Sequence, residues 1–317
     1  KALRKAQSHI KAGELAEAID LYKQVLSKFP KNKQAIQGYQ KLKAGITSKD
    51  SSSSEPPEKQ VDELLALYKQ GRFEEVLAKV KPLISLFSMP TVLYNIQGAS
   101  NTALKSYEAA IESYRQAIKI NPNYLEAYFN LGIALEGKGD LDAALDSYKQ
   151  AIKIKPDCFE AYVNIGIILR DGGDLEAAIE SYEKAINIKP DKAVIYYDMG
   201  NALKDKGDLD AAIDSFKKAI KIIPDYAQAH FNLGLALLNK GRITEGLDEF
   251  EWRWKVAKFP SKKRLFSIPM WNGTEPLQGK IILFWGEQGP QDMIIWSSYL
   301  RHLPSQAKNC ILECPEK

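Results

Sequence analysis

The stretch of sequence best suited to chemistry lies near its C-terminal end. Gly286-Glu287-Gln288-Gly289-Pro290-Gln291-Asp292 follows the apolar run Lys280-Ile281-Ile282-Leu283-Phe284-Trp285 and precedes Met293 to Leu303, which reads as a helix ended by Pro304. A continuous apolar run is the pattern of a buried parallel strand. A glycine-containing turn from strand to helix presents backbone N–H groups at a helix N-terminus, a setting that binds phosphate. Gly286, Glu287, Gln288, Gly289 and Asp292 are the candidates for such a loop. Asn309-Cys310-Ile311-Leu312-Glu313-Cys314 reads as a second strand, which completes strand, turn, helix, strand. That order opens a Rossmann-like segment, although many α/β domains begin the same way.

Other chemistry-bearing residues are sparse. The histidines are His9, His230 and His302, each without a partner in sequence; His230 falls at a core position, and none is assigned a catalytic role. The cysteines Cys158, Cys310 and Cys314 follow no metal-ligand spacing, so the expectation is a reduced chain in the cytoplasm with no metal and no cofactor. The net charge of +4 comes from interleaved Lys and Asp/Glu, the pattern of solvated helix faces rather than of a nucleic-acid surface. No apolar run approaches the length of a membrane span.

The elements that must carry these residues are set by a period. Glycines stand 34 residues apart at Gly98, Gly132, Gly166, Gly200 and Gly234. Alanines keep step at Ala110, Ala144, Ala178 and Ala212, and again at Ala117, Ala151, Ala185 and Ala219. Aromatics do so at Tyr114, Tyr148, Tyr182, Phe216 and Phe250, and prolines at Pro122, Pro156, Pro190 and Pro224. This period with these residue types resembles the tetratricopeptide repeat (TPR). Each unit reads as two helices. In Leu125 to Cys158, Gly139 supplies the left-handed residue that closes the first helix, and Asp140 is placed to cap the second. Pro156 stops the second helix. Gly132 and Ala144 allow close approach within the pair, and Ala151 leaves room for the next repeat.

The frame extends outward with losses. Pro57 to Pro90 is a degenerate copy, and Gly13, Ala18, Tyr22, Val25 and Pro30 fit another whose first helix is short. The division expected is a partial N-terminal repeat with an extra helix over residues 1–42, a flexible serine-rich linker over 43–56, and a TPR array over 57–258. Residues 259–317 then form a junction and the start of an α/β domain. The five tryptophans all lie between Trp252 and Trp296, and Trp252, Trp254 and Trp271 are expected to dock this segment on the last repeat. The fold class is thus mainly α, a TPR solenoid followed by an incomplete α/β Rossmann-like segment.

A resemblance adds to this. Phe250-Glu251-Trp252-Arg253-Trp254, Pro269-Met270-Trp271-Asn272-Gly273, Leu277-Gln278-Gly279-Lys280, Glu287-Gln288-Gly289 and Leu312-Glu313-Cys314 look like the junction in bacterial TPR proteins related to the SPINDLY-type O-linked N-acetylglucosamine transferases. There the array runs into a heptosyltransferase-like region. Pro290-Gln291 departs from the family pattern, which carries a second glycine before the aspartate. The resemblance implies a longer parent that uses a nucleotide sugar, since a transferase of this kind needs two Rossmann-like halves and about 38 residues follow Gly279.

The resemblance also implies asparagine at the sixth position of each repeat, on a concave face, forming a ladder that holds extended peptide. Asn130, Asn164, Asp198 and Asn232 stand there, flanked by Phe129, Val163, Tyr197 and Phe231. An amide suits that task because it both donates and accepts hydrogen bonds. The plainer alternative is a polar row facing solvent. The flanking residues occupy the position where a chaperone-binding carboxylate clamp needs lysine, which argues against that clamp. The reading is a protein- or peptide-binding scaffold, the docking arm of a glycosyltransferase-like protein. An enzyme or a structural, oligomerising scaffold are the alternatives.

Overall fold

The computed structural model describes residues 2–12, 14–49, 55–257, 259, 281–285 and 309–313. Among them are fifteen α-helices: α1 (Ala2–Ala12), α2 (Leu15–Lys28), α3 (Lys33–Lys49), α4 (Glu58–Lys69), α5 (Phe73–Ile84), α6 (Thr91–Ala103), α7 (Tyr107–Ile120), α8 (Leu125–Lys138), α9 (Leu141–Ile154), α10 (Phe159–Asp171), α11 (Leu175–Ile188), α12 (Ala193–Lys206), α13 (Leu209–Ile222), α14 (Ala227–Asn239) and α15 (Ile243–Phe250). A 3-10 helix (Glu251–Lys255) continues α15. The chain forms two compact units that divide within α12, one ending at Ala202 and one beginning at Leu203.

Local chemistry explains the alternation of helix and turn. Gly139 ends α8 with φ near +90°, the left-handed region open to glycine without a Cβ penalty. There Asp140 N–H donates to the Leu135 carbonyl at 2.9 Å, across the turn, which satisfies a carbonyl the helix leaves orphaned. The carboxylates of Asp140, Asp174 and Asp208 then accept from the backbone N–H of Ala143, Ala177 and Ala211 and cap α9, α11 and α13. At the turn between α6 and α7 the left-handed residue is Lys105, with φ of 58°.

In the first unit the pairs close on small residues. Ala110, Ala144, Ala178, Ala117, Ala151 and Ala185 are fully buried, and the rings of Tyr114, Tyr148 and Tyr182 are buried with them. The N-terminal helices join the same unit: the Lys79 ammonium on α5 meets the Glu17 carboxylate on α2 at 2.5 Å. Helix α3 continues to Lys49, into the stretch expected to be linker from residue 43. Lys41, Leu42, Lys43 and Ala44 are good helix formers, so the helix runs on toward the serine run. Residues 50–54 lie outside the described residues.

The second unit buries Ala212, Phe216, Ala219, Ala229, Leu233 and Leu237 between α13 and α14. Its last pair departs from the repeat as the sequence indicates. Gly246 stands where alanine is usual, and Arg253 is buried at the next alanine position, its guanidinium 4.6 Å from the Phe250 ring and 4.3 Å from the Trp254 ring. Two short strands, β1 (Ile281–Trp285) and β2 (Asn309–Glu313), pair in parallel, with Ile281 opposite Asn309 and Trp285 opposite Glu313. Two strands of this length do not amount to a Rossmann unit. Apart from this strand pair, the described residues form the helical repeat array, and the helix expected at residues 293–303 lies outside them.

Candidate peptide-docking residues

The sixth position of each repeat falls on the first helix of its pair. Asn130 is on α8, Asn164 on α10 and Asp198 on α12, all in the first unit; Asn232 is on α14 in the second. All four are half-buried. Asn130 donates from Nδ2 to Oδ1 of Asn95 on α6 at 3.0 Å, so two amides on neighbouring repeats are linked edge to edge. Asn95 escapes a register argument because it stands one residue ahead of the frame, whose sixth position holds the buried Ile96. Burial, with the nearby Glu126 carboxylate, raises the Tyr124 phenol beside Asn95 to about 12.

The next rungs are built around buried phenols. Tyr148 donates to Glu136 Oε2 at 3.1 Å, and the Asn164 side chain lies beside its hydroxyl. The phenol has one hydrogen, which is given to Glu136, so an amide N–H is the partner its oxygen can still take. Asp198 is the corresponding neighbour of Tyr182, and a carboxylate cannot donate. The Tyr182 hydroxyl has no hydrogen-bond partner. Arg170 faces Asp198, but its Nε and Nη2 are committed to Asp171 Oδ1 at 3.2 and 2.8 Å. Desolvation pushes the Asp198 carboxyl up to about 6, and the Arg170 charge offsets part of that rise. Asn232 is likewise not free.

The four flanking residues, Phe129, Val163, Tyr197 and Phe231, are all half-buried. Phe129 packs on Tyr148 with ring centroids 5.7 Å apart, and Phe231 lies 5.3 Å from Phe250 and 5.8 Å from Phe259. The candidate phosphate loop, Gly286, Glu287, Gln288, Gly289 and Asp292, lies outside the described residues, as does Trp271. Trp252 stacks on His230 of α14 at 3.9 Å, and Trp254 meets Phe259 edge-on at 5.7 Å. Among the described residues no three His, Cys, Asp or Glu side chains gather as a metal site would require, and no helix is long and apolar enough to cross a membrane.

Known repeats match the helical region. A family described as TPR repeat matches residues 98–139, 166–207 and 200–241. Families described as tetratricopeptide repeat match residues 125–158 and 2–32. These matches end before the junction, and none concerns a SPINDLY-type transferase or any glycosyltransferase. No curated protein sequence matches the chain significantly. Among solved structures, a crystal structure of MamA shares 28% identity over 49% of this chain and 91% of its own, with a TM-score of 0.47. Residues 41 to the end of MamA from Desulfovibrio magneticus RS-1 share 24% over 51% and 91%, with a TM-score of 0.48. The C-terminal part of a TPR repeat-containing protein from Cytophaga hutchinsonii shares 19% over 61% and 77%, with a TM-score of 0.55, which is likeness of fold. The 34-residue register, the stacked helix pairs and these matches agree: the chain is a tetratricopeptide-repeat protein.

Proposed function

We propose that this protein is a peptide-docking scaffold in which Asn130, Asn164 and Asp198 of the first unit, flanked by Phe129, Val163 and Tyr197, hold the backbone of an extended segment of a partner protein, and in which Asn232 and Phe231 offer the same contacts on the second unit. TPR arrays in general bind proteins and peptides, which gives the class. The observation that carries the finer reading is the Asn130–Asn95 bond. It brings side-chain amides of successive repeats within 3.0 Å of one another, at half-buried positions where a peptide group could take the place of either partner. An amide pair can exchange one such bond for two to a backbone N–H and C=O. The test is a peptide-display selection on the whole chain, followed by titration of the selected peptide. Replacing Asn130, Asn164 and Asn232 together with alanine should weaken binding by about 1–3 kcal/mol. Unchanged affinity would remove the ladder from the account.

A second reading rests on the parallel pairing of β1 with β2. Parallel strands need a crossover connection, usually a helix, which fits an α/β unit of the glycosyltransferase-like kind. In that case Gly286 to Asp292 would face a phosphate of a nucleotide sugar in a chain that carries a second α/β half. Label transfer from a nucleotide sugar to an acceptor protein, lost in Asp292→Ala, would favour it over the scaffold alone. Cytoplasmic residence is part of both proposals.

A further inference from the structure

His230 is the buried titratable group that the peptide-docking reading does not use. It sits on α14, with its side chain 9% exposed, and both ring nitrogens face acceptors. Nδ1 lies 2.5 Å from Glu249 Oε2 on α15, and Nε2 lies 2.9 Å from the Pro224 carbonyl in the turn before α14. A carbonyl oxygen only accepts, so Nε2 carries a hydrogen. An ionised carboxylate only accepts, so Nδ1 carries one too. A neutral imidazole has a single N–H and would leave one of these contacts as two lone pairs facing each other. The ring also stacks on Trp252 of the 3-10 helix, 3.9 Å between centroids and 4° from parallel, a geometry that favours a cation on the indole face.

We propose that a doubly protonated His230 latches α15 and the 3-10 helix onto α14, and that loss of one proton releases this end of the repeat array. The charges around the ring come from two elements. Glu249 from α15 is in direct contact with it. Lys255 from the 3-10 helix has its ammonium 3.7 Å from the Trp252 ring centroid, necessarily on the indole face opposite His230. Lys255 opposes the imidazolium across the full thickness of the indole, whereas Glu249 acts at hydrogen-bond distance, so Coulomb attraction to Glu249 outweighs it. The turn after α13 contributes the Pro224 carbonyl dipole. The two bonds and the stack join three segments at one side chain: the turn before α14, α15 and the 3-10 helix. The proton on Nδ1 therefore governs the contacts to α15 and to the 3-10 helix, while Nε2 keeps its hydrogen for the Pro224 carbonyl. As pH rises and the proton leaves, the charge-assisted bond to Glu249 becomes a repulsion between its carboxylate and a bare ring lone pair.

The test uses the whole chain. Long-range proton–nitrogen spectra of the histidine rings give the protonation state of His230 while the pH is raised from 5.5 until its nitrogen signals report proton loss. Amide hydrogen exchange, corrected for intrinsic rate, is followed in residues 243–255 and in α9 as reference. At the acid end both ring nitrogens should carry hydrogens. On proton loss, protection in residues 243–255 should fall about tenfold, the worth of one hydrogen bond to a charged group, while α9 is unchanged. Glu249→Gln is the decisive variant. Its amide N–H can donate to a neutral Nδ1, so the latch should hold and its pH dependence disappear. A singly protonated ring at the acid end, or the same pH-dependent loss of protection in Glu249→Gln, would overturn the proposal.

Discussion

The Tyr148 ring lies directly against the Cα of Gly132: a methyl group added at Gly132 would sit 2.5 Å from Tyr148 Cε1. The same contact recurs between Gly98 and Tyr114 at 2.5 Å and between Gly166 and Tyr182 at 2.6 Å. The two helices of a pair are thus held apart by the thickness of one aromatic ring. The glycine is the socket and the tyrosine, sixteen residues later, fills it. This explains why a glycine and an aromatic recur together in the 34-residue register.

Gly132→Ala should therefore destabilise the array even though alanine is the better helix former. The propensity gain is about 1 kcal/mol. The ring of Tyr148 is fully buried and has nowhere to move, and overpacking of this kind costs about 1–3 kcal/mol. A lower midpoint in thermal melting is the expected result. A midpoint equal to or above the parent's would mean that the pair opens without cost.

Lys105→Gly should act in the opposite sense. Lys105 occupies the left-handed turn position with φ of 58°, where the equivalent residues Gly71, Gly139, Gly173, Gly207 and Gly241 have φ between 75° and 90°. A side chain in that region costs about 1–2 kcal/mol, and the extra entropy of an unfolded glycine returns part of it. The net gain is on the order of 1 kcal/mol. Denaturant midpoints of the two chains measure it, and a loss of stability would contradict the strain argument.

What the sequence reveals here, and what it conceals, follows from the range of each interaction. Gly139, Asp140 and Pro156 act on their own backbone within a turn, so their spacing predicts the helix ends. Gly132 and Tyr148 face each other within one repeat, so the period exposes them. Asn95 is invisible to the same reading because its contact with Asn130 crosses repeats and stands one residue out of frame. The partners of His230 on α15 and in the preceding turn are equally hidden, since a pattern argument places His230 in the core without saying what it meets. Lys105 conceals a left-handed turn behind a residue type that rarely adopts one. The helical run to Lys49 passes through Gly45, Ile46, Thr47 and Ser48, which are weak helix formers, so neither propensity nor an apolar stripe announces it in the sequence.

Ala151→Leu tests packing between repeats rather than within one. Ala151 on α9 is fully buried in a cluster with Leu131 and Leu135 of α8 and Ala161 and Ile165 of α10. Three more carbons there must displace α10, at a cost of about 1–3 kcal/mol. At the end of the array the same register position accepts Arg253, wrapped by Phe250 and Trp254. Arg253→Ala would thus leave a gap where Ala151 leaves none. An unchanged melt for Ala151→Leu would show that α9 and α10 are not in van der Waals contact at this point.

Asp198→Asn should stabilise the protein in a pH-dependent way. Desolvation raises the Asp198 carboxyl from its ordinary 3.8 to about 6, against the opposing pull of Arg170. A carboxyl raised on folding is at its most favourable when protonated. Below about pH 4 it is neutral in both folded and unfolded chains and costs nothing. Between about pH 4 and 6 the unfolded chain ionises first, and stability falls as pH rises. Above about pH 6 the full cost is present, up to about 3 kcal/mol for a shift of this size, less whatever water retains at a half-buried side chain. An asparagine has no charge to desolvate, and its N–H can donate to the Tyr182 oxygen, which lacks a partner. The variant should match the parent near pH 4 and exceed it at pH 8 by about 1–3 kcal/mol, read from urea unfolding at the two pH values. Equal differences at both would show that Asp198 stays solvated, and that the charge at this rung costs the fold nothing.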